Sequence, residues 1–559
     1  MIKLDDEQKY AVYADPDKSL LIKAPPGSGK TLVMAKRIEF LVKINAVNRP
    51  FKILGLTFSN VAADEMRKRV IKEVPIAKGL VYITNFHSFS YSILKAYGNH
   101  IGLKRDFLII SEMNSEQIIK QMIRKEFPKK PLKKIIERYN DWKIERLLKL
   151  NPDYTDGKYD SEFENVLSSY RAELKIQNKL DFDHILYYSY ELLKNNESIL
   201  NYYKSVFKYL LVDEFQDTNP LQFRLIELLV KKNSSRCFKT PIFILADPNQ
   251  GIYEFQGADP KNMDLIFDSL DCELINLKND YRFNSSGIKL LKDAIGIFIE
   301  NKEFLIGPLP SKKPSYSIWK NKKDETNYLL REIERFKEEK VKLHEIAILS
   351  PTGANLRRLK RKLKKEEYVF IPDFKGPEIE KKYSKIFNEL NNFSKSVGSL
   401  ENTIRTICKI EKIDITDDIV SLLIEISRKF DKNYSEDLNE KIGLFLNEIL
   451  LEINWGKFLR EKIKNKIFLS TIHSAKGLEF EKVIVCGLEN GSLPFFTSCN
   501  KCDGHLDEKE WIKSLKIFNV GISRAKDELC LSSSKRNNNG YKTHSSCVVN
   551  VFCYYIDFN

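Results

Sequence analysis

Two short stretches carry side chains fit for moving a phosphoryl group. The first is Ala24-Pro25-Pro26-Gly27-Ser28-Gly29-Lys30-Thr31. Its glycines let backbone N–H groups turn inward around an anion, the Lys30 ammonium reaches β- and γ-phosphates, and the Thr31 hydroxyl is a ligand for Mg²⁺. The second is Val212-Asp213-Glu214-Phe215-Gln216-Asp217. Asp213 would hold Mg²⁺ through water, and Glu214 would polarise an attacking water. In-line phosphoryl transfer requires those two parts beside the cradle. Arg37 lies further along the segment after Lys30, within reach of a nucleotide's edge, with a surface ion pair as its alternative. Alone, the first stretch could be a Pro/Gly turn and the second an acidic loop. Their joint presence argues for chemistry. Ala24 stands where the usual phosphate-loop pattern has Gly.

A phosphate cradle must follow a strand and open a helix, so that the helix N-terminus adds its positive dipole end. Ser19–Ala24 is a short apolar run, and Thr31–Val42 has apolar residues at helical spacing. Asp213 and Glu214 come directly after the apolar run Tyr209–Val212. Carboxylates at the carboxyl end of a strand face the crevice where ligands sit in open α/β sheets. Phe51–Phe58, Leu80–Phe86 and Pro241–Ala246 read as further strands and Ala62–Val70 as a helix. Apolar strands alternating with helices argue for a mostly parallel sheet covered on both faces. From Tyr97 to Tyr203 the texture is charged and helical, with helices expected over Asn114–Phe127, Leu132–Leu150, Glu162–Leu174 and Phe182–Leu193. Strand signals return at Ser315–Lys320, Glu345–Ser350, Ile467–Thr471, Lys482–Gly487 and Glu528–Ser532. The expected architecture is α/β, with two parallel-sheet units that each carry a mainly helical insertion. One unit would comprise residues 1–95 and 205–290 with the insertion 96–204. The other would comprise 291–365 and 466–559 with a shorter insertion, 366–465, without clear strands.

Composition bounds the function. The chain has 559 residues, 42% hydrophobic and 11% aromatic, enough for several packed cores and incompatible with wholesale disorder. The formal net charge of +15 at pH 7 hints at a polyanionic partner. No apolar run reaches the roughly 18 residues of a membrane span. The N-terminus is mixed-charge and polar, and nine cysteines are sparse in so long a chain. These features predict a cytoplasmic protein without a membrane partner.

Further stretches fall in a recognisable order: Asp6–Gln8 with Ala11, the phosphate loop, Leu56–Val70, Thr84–Phe89, VDEFQD, Leu245–Ala258 (LADPNQGIYEFQGA), Asp280–Phe283 (DYRF), Thr471–Phe480 (TIHSAKGLEF) and Val520–Ala525 (VGISRA). In this order they resemble the UvrD/Rep/PcrA group of superfamily 1 DNA helicases almost end to end. The resemblance implies two RecA-like motor domains, ATP with Mg²⁺, and 3′-to-5′ stepping on single-stranded DNA. It implies Gln8 as the adenine contact, Tyr281 stacking on the adenine, and Glu479 contacting the ribose or setting its own motif. It further implies Gln216 and Gln250 as γ-phosphate sensors, and Arg282 and Arg524 as arginine fingers that arrive when two lobes close. For either arginine taken alone, a surface ion pair is the alternative.

The same resemblance places a DNA track on Thr57, Phe58, Phe86, His87, Tyr253, Phe255, Thr471 and His473. Stacking on aromatics with phosphate contacts tolerates any sequence, as a translocating motor requires. Core packing is the alternative for Phe58 and Phe86, and a structural role for the two histidines. The family usually has Trp at position 255 and Arg at 256, and this chain has Phe255 and Gln256. Basic runs at Lys129–Lys134 and Arg357–Lys365 read as solvated helix faces or duplex guides. Cys499-Asn-Lys-Cys502 with His505 is half of a zinc site, and an ordinary surface loop is the default. The expected partners are single-stranded DNA and single-strand/duplex junctions. The short second insertion, and a chain that ends soon after Arg524, lower the expectation of processive unwinding. They keep open an alternative: the motor or sensor subunit of a nuclease-containing complex in antiviral defence or recombination. A third alternative, a DNA-binding scaffold without chemistry, is opposed by the intact Lys30, Asp213, Glu214, Arg282 and Arg524.

Overall fold

The computed structural model of the chain describes residues 4–57, 60–105, 107–110, 112–232, 239–305, 308–365, 370–372, 384–391, 398–415, 417–433, 438, 441–442, 445–446, 466–495, 508–537 and 540–558. Two all-parallel sheets organise it. Strands β1 (Leu20–Lys23), β2 (Lys52–Thr57) and β3 (Val81–Asn85) come first. A two-stranded parallel ribbon, β4 (Leu108–Ile109) with β5 (Lys179–Leu180), lies outside the first sheet. β6 (Phe207–Val212), β7 (Ile242–Ala246) and β8 (Glu273–Asn276) complete that sheet in the order β3-β2-β6-β7-β1-β8. Every pairing in it is parallel. Its central strands are buried on both faces, so they consist of near-continuous Leu, Ile and Val rather than alternating polar and apolar residues.

The second sheet contains β9 (Ser315–Trp319), β10 (Ile346–Ser350), β11 (Phe370–Pro372), β12 (Ile467–Thr471), β13 (Phe480–Val485), β14 (Ala525–Ser534) and β15 (Asp557–Phe558). Their order is β11-β12-β10-β13-β14-β9-β15, again parallel throughout. Two crossed-over parallel sheets, each faced by helices, are the expected pair of RecA-like units.

Besides the short ribbon β4–β5, three strands of the two large sheets went unread in the sequence, and all three lie at sheet edges. β8 buries only Ile275, β11 has three residues, and β15 is exposed. Edge strands this short hold no apolar run, and a neighbour fixes their register. β11 corrects the expectation that residues 366–465 lack strands, because Phe370–Pro372 pairs with β12. The other described helices there are Ser384–Asn391, Leu400–Ile410 and Asp418–Asn433.

The first insertion has a core of its own. Helices Glu112–Glu126, Leu132–Lys143 and Asp160–Ile176 enclose Tyr139, Trp142, Phe163 and Tyr170. The next helix, Phe182–Asn195, instead packs Ile185, Leu192 and Leu193 into the cluster that holds Leu54 and Leu56 of β2. Insertion and sheet thus meet through shared apolar packing. Among the described residues no helix is long and apolar enough to cross a membrane.

Candidate active site and nucleic-acid track

The phosphate loop leaves β1 and enters α2 (Lys30–Lys43). Gly27 and Gly29 have φ of +86° and +79°, a region only glycine enters without strain. Space demands glycine at 27 as well. A Cβ there would lie 2.1 Å from Asp280 Oδ1 and 2.8 Å from the Arg282 Cβ. The loop closes on itself, with Ser28 Oγ donating to the Pro25 carbonyl at 2.8 Å, and Pro26 and Ser28 buried. The Lys30 amine donates to the Ala24 carbonyl at 3.2 Å and lies 3.7 Å from Glu214 Oε1. Thr31 follows in the first turn of α2, half-buried.

Helix α1 (Asp6–Tyr13) delivers Gln8 to this loop. Asp5 and Gln8 form a reciprocal capping box that fixes the helix start. The buried Gln8 amide then donates to the Ser28 carbonyl at 2.9 Å. Asp5 also accepts from the Tyr281 hydroxyl at 2.7 Å and from the Asn279 amide at 3.1 Å. The Tyr281 ring, 59% exposed, therefore stands beside Gln8 with a face available for stacking. Its backbone N–H donates to the Gly27 carbonyl at 2.9 Å. Asp280 is buried beneath Gly27 and is held by Lys292 at 3.1 Å.

A chain of hydrogen bonds runs from the acidic motif into the second sheet's unit. Asp213 Oδ1 accepts from the Glu214 N–H at 2.9 Å. Glu214 has φ of +52°, a strained conformation for a side chain of its size and one that tends to occur at functional sites. Its Oε2 accepts from the Gln216 amide at 2.5 Å, and Gln216 Oε1 accepts from the Asp247 N–H at 2.9 Å. Asp247 Oδ2 accepts from the Gln250 amide at 2.5 Å, and Gln250 Oε1 accepts from Arg524 at 2.8 Å. Arg524 is fully buried and also donates to the carbonyls of Leu478 and Val520.

The charges here are strongly biased. Burial works against the Glu214 carboxylate, but Lys30, Lys476, the Gln216 amide and Arg524 together hold its pKa down at about 2. Burial and the neighbouring Arg282 push the Arg524 guanidinium down to about 9. Two such cations side by side gain from an incoming polyanion. Arg282 is held from outside the first sheet, its Nε 2.9 Å from Glu479 and its Nη1 donating to the Ser523 carbonyl at 3.3 Å. Glu479 is paired as well with Lys526 at 2.8 Å. Both arginines already stand at the cleft in this arrangement.

The proposed track lies at the carboxyl ends of β2, β3, β7 and β12. Thr57 ends β2 in register with Asn85, which caps the helix Phe86–Tyr97 and so sets His87 at its start. The His87 ring meets Phe182 edge-on at 5.7 Å, and burial pushes its pKa down to about 4 despite Asp183 nearby. Thr471 ends β12, its hydroxyl 3.1 Å from that of Ser474. Phe255 is 48% exposed and meets His473 edge-on at 5.3 Å. The Tyr253 hydroxyl donates to the His473 carbonyl at 3.0 Å. Phe255 and His473 come from different sheets' units, so this aromatic patch is assembled across the cleft.

Two sequence expectations are corrected. Arg37 does not reach toward a nucleotide. It is buried, and its guanidinium donates to the carbonyls of Val12, Ala14 and Asp15, tying α2 to the end of α1. Phe86 does not line a track, because only 3% of it is exposed and it packs in the core with Phe89 and Ile93. The spacing 86, 89, 93 is a helical apolar stripe, the signal that separates it from Phe255. Phe58, Cys499, Cys502 and His505 lie outside the described residues. Among the described residues no group of three or more His, Cys, Asp or Glu could hold a metal ion. Asp217, Asp247 and Lys476 stood inside the quoted motifs without an assigned role, and each proves to be a buried partner of the site.

Residues 4–270 match the UvrD/REP helicase N-terminal domain, and residues 372–536 match the UvrD-like helicase C-terminal domain. Among similar proteins, a probable DNA helicase II homolog of Mycoplasma capricolum is 28% identical over 96% of this chain and 85% of its own length. The ATP-dependent DNA helicase Rep of Buchnera aphidicola is 28% identical over 94% of each chain. The ATP-dependent DNA helicase PcrA of Staphylococcus aureus is 25% identical over 95% of this chain and 83% of its own. With both halves of the motor matched and their motifs converging on one cleft, the chain belongs to the UvrD/Rep family of superfamily 1 helicases.

Proposed function

We propose that this chain is an ATP-dependent DNA helicase that uses Mg²⁺ and steps 3′-to-5′ along single-stranded DNA. The observation that carries this reading is the unbroken hydrogen-bonded path from Glu214 through Gln216, Asp247 and Gln250 to Arg524, which bridges the two sheets' units. The motor domains would be residues 1–95 with 205–290, and 291–365 with 466–559, β11 added to the second. The cradle of Gly27 and Gly29, which any Cβ would disturb, fits a triphosphate. The hard oxygens of Thr31 and Asp213 are of the kind Mg²⁺ takes. Bound Mg-ATP would supply the electrophilic γ-phosphorus and its charge neutralisation. Lys30 would orient the β/γ-phosphates, and Glu214, held anionic, would accept the proton of the attacking water. Arg282 and Arg524 would neutralise developing charge on the equatorial oxygens. Gln8 and Tyr281 would clasp the adenine, with Glu479 setting Arg282. Tyr253, Phe255 and His473, with Thr57, His87 and Thr471, would follow the DNA strand.

Because Gln250 connects to Arg524 on one side and its loop continues to Tyr253 and Phe255 on the other, hydrolysis and strand contact share one loop. The test is phosphate release with and without single-stranded DNA, together with strand separation on duplexes tailed at either end. Release stimulated by DNA, and separation from a 3′ tail only, are expected. Release indifferent to DNA overturns the motor, and separation from a 5′ tail overturns the polarity. Strand separation that begins only after a nuclease-bearing partner is added replaces the reading with a motor subunit of such a complex. The site of action would be the cytoplasm.

A further inference from the structure

Asp280 stands directly beneath the phosphate loop. A Cβ on Gly27 would lie 2.1 Å from its Oδ1, so the carboxylate is in contact with the glycine that shapes the cradle. That oxygen accepts from the Arg282 N–H at 2.9 Å, and the intervening Tyr281 N–H donates to the Gly27 carbonyl at 2.9 Å. One carboxylate thus closes the turn that carries both Tyr281 and Arg282, and presses it on the loop. Its other oxygen, Oδ2, accepts from the Lys292 ammonium at 3.1 Å. The Lys292 and Asp280 side chains are 7% and 2% exposed.

Lys292 is held in place by its surroundings. It lies on the helix Ser286–Asn301, whose Leu291 and Ile295 share one apolar cluster with Tyr316, Ala347 and Leu349 of the second sheet. Its ammonium is also 2.9 Å from Oδ1 of the half-buried Asp293 and 5.5 Å from the centre of the Phe283 ring. Burial works against the ammonium, but Asp293 and Asp280 hold its pKa above the ordinary lysine value.

A carboxylate at this place works against a phosphate site unless it is neutralised. Like charges in a partly dry interior repel far more strongly than in water. A buried carboxylate stripped of its cation also carries an uncompensated desolvation cost. Swinging toward water would relieve both, at the loss of the hydrogen bond from Arg282 and of the contact with Gly27.

We propose that Lys292 is a positioning residue for nucleotide binding: it neutralises Asp280 beneath the phosphate loop, so that one carboxylate braces the Tyr281–Arg282 turn against Gly27 without repelling a triphosphate. The inference rests on the ATP-dependent reading above and adds to it a residue outside the sequence motifs. It makes a demand that a merely fold-holding ion pair does not. Loss of Lys292 must cost more as the charge of the ligand rises.

The experiment measures binding of ADP and of a non-hydrolysable ATP analogue, each with Mg²⁺, to full-length protein. Wild type, Lys292→Met, Asp280→Asn and the double variant Asp280→Asn/Lys292→Met are compared. In Lys292→Met the affinity for the analogue is expected to fall about tenfold, and that for ADP by a smaller factor. The double variant keeps an amide oxygen for the Arg282 N–H and leaves no fully buried charge unpaired, so it should recover most of the loss. Asp280→Asn alone leaves Lys292 beside Asp293 and should bind the analogue more tightly than wild type, with a smaller gain for ADP. Equal losses for the two nucleotides in Lys292→Met, or a double variant as weak as the single one, overturn the inference and make Lys292 a part of the fold. Should Lys292→Met fail to fold, Asp280→Asn decides: analogue binding no tighter than that of wild type overturns the inference. These outcomes leave the ATP-dependent reading intact, whereas a wild-type protein that binds neither nucleotide overturns both.

Discussion

On the nucleotide side of the cleft, Lys30, Glu214, Gln216, Asp247, Gln250 and Arg524 are joined by directed contacts, most of them buried. On the proposed DNA side, the Tyr253, Phe255 and His473 rings meet at centroid distances of 5.3 to 6.5 Å and the Tyr253 hydroxyl donates to the His473 carbonyl, with half of Phe255 in solvent. Fixed polar geometry suits a reaction with one transition state. Aromatic faces suit a polymer that must slide, because stacking is non-specific and each base is released without breaking a network. Loss of one member should therefore be severe in the cleft and graded along the track.

Lys30→Ala is the harshest test of that contrast. It removes the ammonium that meets both the Ala24 carbonyl and the Glu214 carboxylate. Phosphate release is expected to fall by about 10²-fold or more, while nucleotide-free binding of oligo-dT stays near wild type. Gly27→Ala should do comparable damage by a different route, because its Cβ would strike Asp280 and Arg282. Near-normal turnover in Lys30→Ala would remove the phosphate-loop assignment, whatever the DNA binding.

Much of the cleft was readable before the fold was known. Strand, glycine turn and helix mark a candidate phosphate site through local sequence alone, and the carboxylates after β6 mark its proposed partner. What resisted reading depends on where distant segments meet. Asp217 and Lys476 are 259 residues apart, and nothing local says that both are buried and face each other. Arg37 read as a nucleotide contact, with a surface ion pair as the alternative, because its true acceptors are the bare carbonyls at the end of α1, which no side-chain pattern advertises. The edge strands β8, β11 and β15 borrow their conformation from neighbours. Motif order brought these stretches to one cleft, and burial separates the members left open to a ligand from those that hold the fold.

Phe86 and Phe255 sharpen the comparison, because the sequence assigned both to the track and the structure separates them. Phe86→Ala opens a cavity in the core and should cost about 3–5 kcal/mol of stability in denaturant unfolding. The DNA affinity of the molecules that remain folded should not change. Phe255→Ala should leave the unfolding midpoint almost unmoved and weaken oligo-dT binding by about 1–3 kcal/mol. An exchange of these two phenotypes would reverse the assignment of track and core.

His87 lies between the two regimes and gives the smallest expected effect. Its ring packs against Phe182, and burial holds its pKa at about 4, against about 6.5 in an unfolded chain. The folded protein thus disfavours the imidazolium. Above pH 6.5 both states carry neutral His87, and its contribution to stability is fully present. As pH falls from 6.5 toward 4 the unfolded state takes up the proton first, so stability declines across that window and levels off below it. Partial solvent access to the ring limits the loss to about 1–2 kcal/mol. Urea unfolding of wild type and His87→Phe at pH 7.5 and at pH 5 isolates the term, because the other titrating groups are common to both proteins. The stability difference between the two should move in favour of His87→Phe at pH 5. If it is the same at both pH values, the imidazole is solvated and free to carry charge, and His87 would then meet a DNA phosphate as a cation rather than as a neutral donor.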